Sequence, residues 1–240
     1  MQEYTAKITE IIQETKFVKL IRISFPELKK ITFFPGQFVM IGHKNLKNDA
    51  GINIERAFSI ASAPHQKNHL ELCIKLVEGG KFSDLCKNFK IGEQLTVKGP
   101  FGKFLLPEHP SGNLIFFAGG TGIAPIMSML RHLQKGRFSQ KTILFFTFRE
   151  PTDYIYQKEL EELDKNYAQF TLLPTCTGQK SADWSGIKGR FTSVYIKEHV
   201  ANPASQLYLV CGNNDFAKDI KAYLVELGVP KDHIKTEAWG

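Results

Sequence analysis

Cysteine pairs at metal-ligand or redox spacing are missing from this sequence. Its four cysteines, Cys73, Cys86, Cys176 and Cys211, are scattered along the chain, and no two of them form a CxxC motif. This spacing argues against a zinc site, an iron–sulfur cluster and a disulfide framework. Dispersed cysteines of this kind are typical of the reduced cytoplasm, where we expect the protein to reside.

Long apolar runs are absent as well. No stretch approaches the roughly 18–20 apolar residues that a membrane-spanning helix needs. The start, MQEYTAKITE, lacks the basic and then apolar pattern of a signal peptide. Basic runs with interleaved aromatic residues, which are typical of nucleic-acid binding, are also missing. We therefore expect neither a membrane span nor a nucleic-acid partner.

The composition that remains is that of an ordinary globular protein. Of the 240 residues, 42% are hydrophobic and 23% are charged. This length suits one large domain or two smaller ones, each with its own core. The net charge of +7 favours acidic partners or phosphorylated ligands.

Strand patterns fill the first hundred residues. Pro26, Pro35–Gly36, Pro64 and Gly79–Gly80 supply turn signals between several of them. Strands of this length and spacing predict an antiparallel barrel or sandwich, with one short helix near Ser83–Asn88. The six predicted strands lie in AKITEIIQET, FVKLIRISF, GQFVMIGHK, RAFSIASA, LELCIKLVE and EQLTVKG.

Strands and helices alternate from Asn113 onward, which predicts a parallel α/β sheet. The last long helix lies in DFAKDIKAYLVELG, where we expect Asp215 to be the N-cap and Gly228 to end the helix. We predict an α/β domain over residues 113–240, joined to the first domain by a linker over residues 107–112. Its five predicted strands lie in NLIFFAGG, KTILFFTF, FTLLPTC, QLYLVCG and IKTEAW.

A glycine-rich turn follows the first of these parallel strands. In AGGTGIAP, Gly120, Thr121 and Gly122 separate the strand from the next helix. Glycines permit a tight turn and a close approach of ligand to backbone, and the N–H groups at a helix start bind phosphate oxygens. Pro125 stands where the dinucleotide fingerprint has its third glycine. The context predicts a nucleotide site.

Three motifs occur together in a characteristic order. RAFS lies in the β domain, GGTGIAP opens the α/β domain, and CGNN and a terminal EAW follow. In this combination the chain resembles the ferredoxin–NADP reductase family of flavoproteins over essentially its whole length. The resemblance implies a six-stranded antiparallel β-barrel over residues 1–106 that binds flavin, FAD rather than FMN. It also implies an α/β domain over residues 113–240, with a parallel five-stranded sheet, that binds a nicotinamide nucleotide.

The resemblance assigns the flavin contacts to two segments. Arg56 would pair with the flavin diphosphate, Phe58 would lie against the isoalloxazine, and Ser59 would hydrogen-bond near flavin N5. Alternatively, Arg56 forms a surface ion pair with Glu55 and Phe58 packs in the core. The complete set of implied FAD contacts is Arg56, Ala57, Phe58, Ser59, Ile74, Lys75, Leu76, Gly80, Lys81, Phe82 and Ser83.

The same resemblance assigns the nucleotide contacts. Gly120, Thr121 and Gly122 would bind the diphosphate, and Cys211 and Gly212 would face the nicotinamide. Trp239 would cover the flavin face that the nicotinamide must reach. The alternatives are that Cys211 is a small buried core residue and that Trp239 caps the core. The implied catalytic residues are Ser59, Cys211, Glu237 and Trp239.

The choice between NADPH and NADH depends on the loops after the second and third parallel strands. Relatives that use NADPH often carry a Ser-Arg pair after the third strand, whereas TCTGQKSADW has no arginine. Arg149 and Lys180 are the candidates for a 2′-phosphate, and Glu150 is the candidate for a ribose hydroxyl of NADH. The two cations favour NADPH slightly.

The resemblance implies a flavin-dependent NAD(P)H oxidoreductase. A nicotinamide nucleotide would exchange hydride with the flavin, which would pass single electrons to a carrier protein such as ferredoxin or flavodoxin. The basic charge predicts that this carrier is acidic, and no metal is expected. The alternatives are a free-flavin reductase, the reductase component of an oxygenase, and a flavin-binding electron-transfer or regulatory subunit without enzymatic activity.

Overall fold

The computed structural model describes residues 3–108, 112–179 and 183–239. These residues divide into two compact units. Unit 1 comprises Met1–Leu106 together with Met127–His132, and unit 2 comprises Pro107–Ile126 and Leu133–Gly240.

In the described residues, unit 1 contains a six-stranded antiparallel sheet, one short helix and the Met127–His132 segment of a longer helix. Its strand order is β4-β3-β6-β1-β2-β5, and every neighbouring pair is antiparallel. The predicted six strands and the helix are confirmed. The elements are β1 (Glu3–Thr15), β2 (Val18–Ser24), β3 (Phe38–Lys47), β4 (Asn53–Ser59), β5 (Leu70–Lys75), α1 (Lys81–Lys87) and β6 (Gln94–Phe101).

The two edge strands of this sheet meet immediately after β4. Ile60 forms an antiparallel bridge with Leu72, and the Ala61 N–H donates to the Glu71 carbonyl oxygen over 2.8 Å. These contacts close the barrel just beyond the end of β4, while Asn53–Ser59 itself pairs with β3.

Period-two patterning places the core of unit 1 inside the barrel. Along β1, Tyr4, Ala6 and Ile8 are buried while their neighbours are exposed, as alternating side-chain directions require. Each fully buried isoleucine side chain stabilises the fold by about 1.5–3 kcal/mol relative to an exposed one.

Unit 2 contains a parallel sheet of six strands in the order β10-β9-β8-β7-β11-β12. The sequence predicted five, because β10 has only two residues and no pattern marks so short a strand. The elements are β7 (Leu114–Gly119), α2 (Ile123–Lys135), β8 (Thr142–Phe148), α3 (Gln157–Asn166), β9 (Phe170–Cys176), β10 (Ile187–Lys188), α4 (Ser193–His199), β11 (Leu207–Asn213), α5 (Asn214–Glu226) and β12 (Ile234–Trp239).

The helix ends of unit 2 follow local side-chain chemistry. The N-cap of α5 is Asn213, whose side chain accepts from the Phe216 N–H over 2.8 Å, so Asp215 lies in the first turn and the prediction that it caps was wrong. Gly228 follows the helix with a φ of 78°, a left-handed conformation that glycine commonly adopts at a helix end. The prediction that Gly228 ends the helix is confirmed. Within the described ranges, no helix combines the length and apolarity that a membrane crossing demands.

Candidate cofactor sites of the two units

Strand β4 presents Arg56 at the edge of the unit 1 sheet. The residue lies opposite Ile41 of β3 and is exposed. Its guanidinium donates to the Glu55 carbonyl oxygen over 3.0 Å. The Glu55 carboxylate instead pairs with Lys98 over 2.6 Å, so the surface ion pair between Arg56 and Glu55 does not form.

The aromatic ring of Phe58 connects the two predicted flavin segments. It is half-buried and packs against Phe82 of α1 with ring centroids 4.8 Å apart. Phe82 in turn contacts Phe89 edge-on at 5.9 Å. Ser59, the last residue of β4, is also half-buried. Thus Phe58 is partly a core residue, as the alternative interpretation proposed, and still has a solvent-accessible part.

The turn from β5 into α1 is shaped by Gly79 and Gly80. Gly79 has a φ of 70°, a conformation that favours glycine, and a side chain there would meet no atom within 4 Å. Gly80 is the N-cap of α1 and provides no side-chain cap. The Ser83 hydroxyl accepts from the Val77 N–H over 2.8 Å and so fixes the turn.

The remaining residues predicted in this segment differ in exposure. Ile74 is completely buried, Leu76 is half-buried, and Lys75 and Ala57 are exposed. Lys81 forms an ion pair with the exposed Asp49, and this partner lowers the pKa of Asp49.

These groups fit a flavin nucleotide. A diphosphate needs N–H donors and positive charge, which an uncapped helix start and an exposed arginine provide. A flat ring system needs an accessible aromatic surface, which Phe58 provides. Arg56 and the Gly80 turn lie in segments that the Phe58–Phe82 contact joins.

In unit 2 the glycine turn lies against the end of β11. Gly120–Gly122 form a short 3-10 turn between β7 and α2. A Cβ on Gly122 would overlap the carbonyl oxygen of Cys211, whereas a Cβ on Gly120 would meet nothing within 4 Å. Gly122 therefore permits close backbone packing, and Gly120, with a φ of 53°, leaves open space for a ligand.

This turn lies where the strand order reverses. From β7 the chain continues to β8 on one side of the sheet, while β11 lies on the other side. Ligands of open parallel sheets bind at the carboxyl ends of the strands at such a switch point. The sequence reasoning missed Asn213, which ends β11 here and caps α5. The first asparagine of CGNN was the signal available for it.

Cys211 and Glu237 are register partners on β11 and β12. Cys211 is completely buried, and burial, with the nearby charge of Glu237, raises the pKa of its thiol well above the ordinary value. The thiol therefore stays protonated and is not a nucleophile. Burial also raises the pKa of Glu237 to about 7.

Glu237 also carries an unsatisfied buried atom. Within the part of the chain that the structure describes, its Oε2 has no hydrogen-bond partner. A buried polar atom without a partner is costly, and a ligand amide at the switch point would satisfy it. The open glycine turn and this oxygen fit a nicotinamide nucleotide. Trp239, two residues further, pairs in register with Asn213 and is 39% exposed.

The raised pKa of Glu237 predicts a specific pH dependence of stability. Between the usual carboxyl value of 4.5 and about 7, the folded protein holds a proton that the unfolded chain has released. The free energy of unfolding therefore falls as the pH rises through this window. In Glu237→Gln this fall is expected to be smaller, as measured by thermal melts across the window. Glu198→Gln, at an exposed position, should keep the wild-type dependence; an equal slope in Glu237→Gln would contradict the prediction.

The loop after β8 packs against the loop after β9. The Gly178 N–H donates to the Arg149 carbonyl oxygen over 2.6 Å, and a Cβ on Gly178 would overlap that oxygen. Arg149 itself is exposed. The Glu150 side chain accepts from the Asp153 N–H in a capping box, so this carboxylate already has a structural role. Lys180 lies outside the described residues.

Comparisons with known proteins agree with this arrangement. Residues 5–105 match the oxidoreductase FAD-binding domain family, and residues 116–222 match the oxidoreductase NAD-binding domain family. The two matches lie in the β-strand segment and in the parallel α/β segment of the chain respectively.

Two relatives match over nearly the whole chain. The glycine betaine monooxygenase reductase subunit of Chromohalobacter salexigens is 27% identical over 99% of this chain and 64% of its own length. The propane 2-monooxygenase reductase component of Mycolicibacterium smegmatis is 26% identical over 98% of this chain and 67% of its own length. The chain thus spans about two thirds of the length of these relatives.

Solved structures share the fold. A ferredoxin NADP+ reductase from Neisseria gonorrhoeae with bound FAD and NADP has a TM-score of 0.85 at 24% identity, covering 99% of both chains. An Amycolatopsis cytochrome P450 reductase has a TM-score of 0.86 at 21% identity, covering 99% of this chain and 69% of its own. With an FAD-binding domain followed by an NAD-binding domain, the chain belongs to the ferredoxin–NADP reductase-like family of flavoproteins.

Proposed function

We propose that this chain is a flavin-dependent NAD(P)H oxidoreductase that passes electrons between a nicotinamide nucleotide and a one-electron carrier protein. The observation that supports it most is the open glycine turn packed on Cys211 at the switch point, in a chain that also has an FAD-binding domain. A chain that binds both redox cofactors needs no further catalytic group for electron transfer.

The protein's own residues bind and orient the cofactors, which supply the redox chemistry when bound. We propose that Arg56 and the uncapped start of α1 hold the flavin diphosphate and that Phe58 and Ser59 orient the ring. We propose that the other residues predicted to contact FAD do so as well: Ala57, Ile74, Lys75, Leu76, Lys81, Phe82 and Ser83. We also propose the domain limits at residues 1–106 and 113–240, with the linker over 107–112.

In unit 2 we propose that Gly120–Gly122 bind the nucleotide diphosphate. Cys211 and Gly212 would border the nicotinamide, with the thiol protonated because burial and the charge of Glu237 raise its pKa. Glu237 would hold a proton near neutral pH, since burial raises its pKa to about 7. The role of Trp239 as a cover for the flavin stays a prediction from the resemblance.

The electron acceptor is proposed to be an acidic carrier such as ferredoxin or flavodoxin. The net charge of +7 supports this, since complementary charge accelerates association. The names of the relatives favour a second candidate, the reductase component of an oxygenase. We propose a cytoplasmic location, consistent with four free cysteines.

Absorption spectroscopy of the purified protein tests the proposal. We expect a yellow protein with one non-covalent FAD, whose visible absorption bleaches on anaerobic titration with NADPH or NADH. Re-oxidation by added ferredoxin or flavodoxin would support a carrier reductase. Dissociation of the flavin on dilution would support a free-flavin reductase, and bound flavin that neither nucleotide bleaches would contradict an enzymatic role.

Arg149 is expected to select NADPH. Because its exposed guanidinium follows β8 beside the switch-point edge, Arg149→Ala should raise the KM for NADPH about tenfold and leave the KM for NADH nearly unchanged, the loss of one charge-assisted bond being about 1.5–3 kcal/mol. Steady-state kinetics with both nucleotides measure this. Lys135→Ala, at the exposed last residue of α2, is the control. Equal effects on both nucleotides would instead favour Glu150 and NADH.

A further inference from the structure

Arg131 makes a buried connection that the proposed cofactor sites do not use. It lies on α2, within the Met127–His132 segment of unit 1, and is 7% exposed. Its Nη1 donates to the Ala61 carbonyl oxygen over 3.0 Å and to Glu71 Oε1 over 2.8 Å. One guanidinium nitrogen thus bridges the two chain segments that close the barrel.

Ser128, one helical turn earlier on α2, acts on the next residue of the same segment. Its hydroxyl donates to the Ser62 carbonyl oxygen over 2.7 Å and is completely buried. The Ser62 hydroxyl in turn accepts from the Glu71 N–H over 3.1 Å. Two successive backbone carbonyls, those of Ala61 and Ser62, are therefore held by side chains three residues apart on one helix face.

Glu71 supplies the opposite charge. It is completely buried, and its Oε2 accepts from Arg22 Nε over 2.8 Å. Burial by itself would raise its pKa, but the charge and hydrogen bonds of Arg131 and Arg22 outweigh burial and hold the pKa below the usual value. Buried ion pairs contribute little net stability compared with apolar packing, so stability alone does not explain this network.

The position of the network suggests its role. Ala61 lies two residues after Ser59, the last residue of β4. Between them, Ile60 forms the bridge with Leu72 and donates to the Gln37 carbonyl oxygen over 2.9 Å. The β3 ladder holds Phe58 and Ser59 from one side, and the side-chain bonds to the Ala61 and Ser62 carbonyls tie the chain just after them to α2.

We propose that Arg131 and Ser128 are positioning residues for the flavin: by fixing the Ala61 and Ser62 carbonyls they hold the end of β4, which carries Phe58 and Ser59. This inference rests on the proposed function, since it assumes that β4 binds FAD. Such support matters because the groups that contact a bound ring system must be held within about 0.5 Å of the productive geometry by the residues around them.

The test compares substitutions of Ser128 and Arg131 on α2 with a substitution of Arg22 on β2, which also binds Glu71. Ser128→Ala removes one bond without a change of charge, and Arg131→Met removes the bridge to Ala61. Arg22→Met is the matched control, because Arg22 also binds Glu71 but has no hydrogen bond to Ala61 or Ser62 among the contacts described here. The readouts are the FAD dissociation constant of the deflavinated protein, the midpoint potential of bound FAD and the melting temperature.

We expect Ser128→Ala and Arg131→Met to weaken FAD binding by roughly tenfold, the lower end of what loss of supporting partners costs metal sites, and to shift the midpoint potential. Arg131→Lys should restore part of both. Arg22→Met should lower only the melting temperature. Wild-type FAD affinity and potential in Ser128→Ala and Arg131→Met would overturn the inference; if Arg131→Met does not fold, Ser128→Ala decides by the same criteria. A wild-type protein that binds no FAD would overturn the proposed function as well.

Discussion

Arg56→Ala protein is expected to purify with little FAD, and its FAD dissociation constant should rise by on the order of 10–100-fold. The loss of each charge-assisted hydrogen bond to a phosphate costs about 1.5–3 kcal/mol, and about 1.4 kcal/mol corresponds to a factor of ten. A guanidinium binds two phosphate oxygens at once, so Arg56→Lys should fall between the wild type and Arg56→Ala.

The substitution should leave the fold intact, which makes the flavin readout specific. Arg56 is exposed, and its guanidinium bonds only to a neighbouring backbone carbonyl among the contacts described. Exposed substitutions of this kind usually change the free energy of unfolding by no more than about 0.5 kcal/mol. Arg190→Ala removes a comparably exposed cation in unit 2 and should retain FAD. Full FAD retention in Arg56→Ala would show that Arg56 does not bind the diphosphate.

Local patterns predicted the strands and helices well, because the patterns follow from how each element is buried. β7 is apolar throughout and buried along five of its six residues, as a strand covered on both faces must be. Alternation along β1 correctly indicated a strand with one buried face. The sixth parallel strand, β10, was missed because two residues cannot show a period.

Contacts between distant parts of the chain were beyond these patterns. Glu71 is a charged residue in the LELCIK strand, yet all residues of β5 except Lys75 are buried. The reason is Arg131, which lies 60 residues away and satisfies the charge. No local pattern links the two positions, so the network appears only once the chain has folded.

The candidate sites likewise combine features that local sequence predicts with features that depend on residues far apart in the chain. The sequence predicted the glycine turn because its signal is local: the glycines stand between a strand and the helix that follows it. That Gly122 packs on the Cys211 carbonyl depends on the parallel neighbour β11, which the chain reaches only after three further strands of the sheet. Likewise the raised pKa of Glu237 follows from burial, which the sequence EAW does not reveal.

Gly122→Ala is expected to destabilise unit 2 by on the order of 2–3 kcal/mol, because forcing an extra carbon into a packed site has costs of this size. The new Cβ would overlap the Cys211 carbonyl oxygen, and the next nearest atoms also belong to backbone, so no side chain can move aside. The glycine turn must then shift away from β11. The dissociation constant for NADP+ should rise more than about tenfold, since small misplacements of binding groups can cost up to a hundredfold.

Gly120→Ala is the matched substitution two residues away. A Cβ there meets no atom within 4 Å, but its φ of 53° lies in the left-handed region, which costs a residue with a side chain roughly 1–2 kcal/mol. If a diphosphate approaches this backbone, the added methyl group obstructs it, so Gly120→Ala should weaken NADP+ binding with a smaller fall in melting temperature. Calorimetric titration and thermal melts on both variants measure these effects. Unchanged NADP+ affinity in both would show that the nucleotide binds elsewhere, and an unchanged melting temperature in Gly122→Ala would contradict the close packing against Cys211.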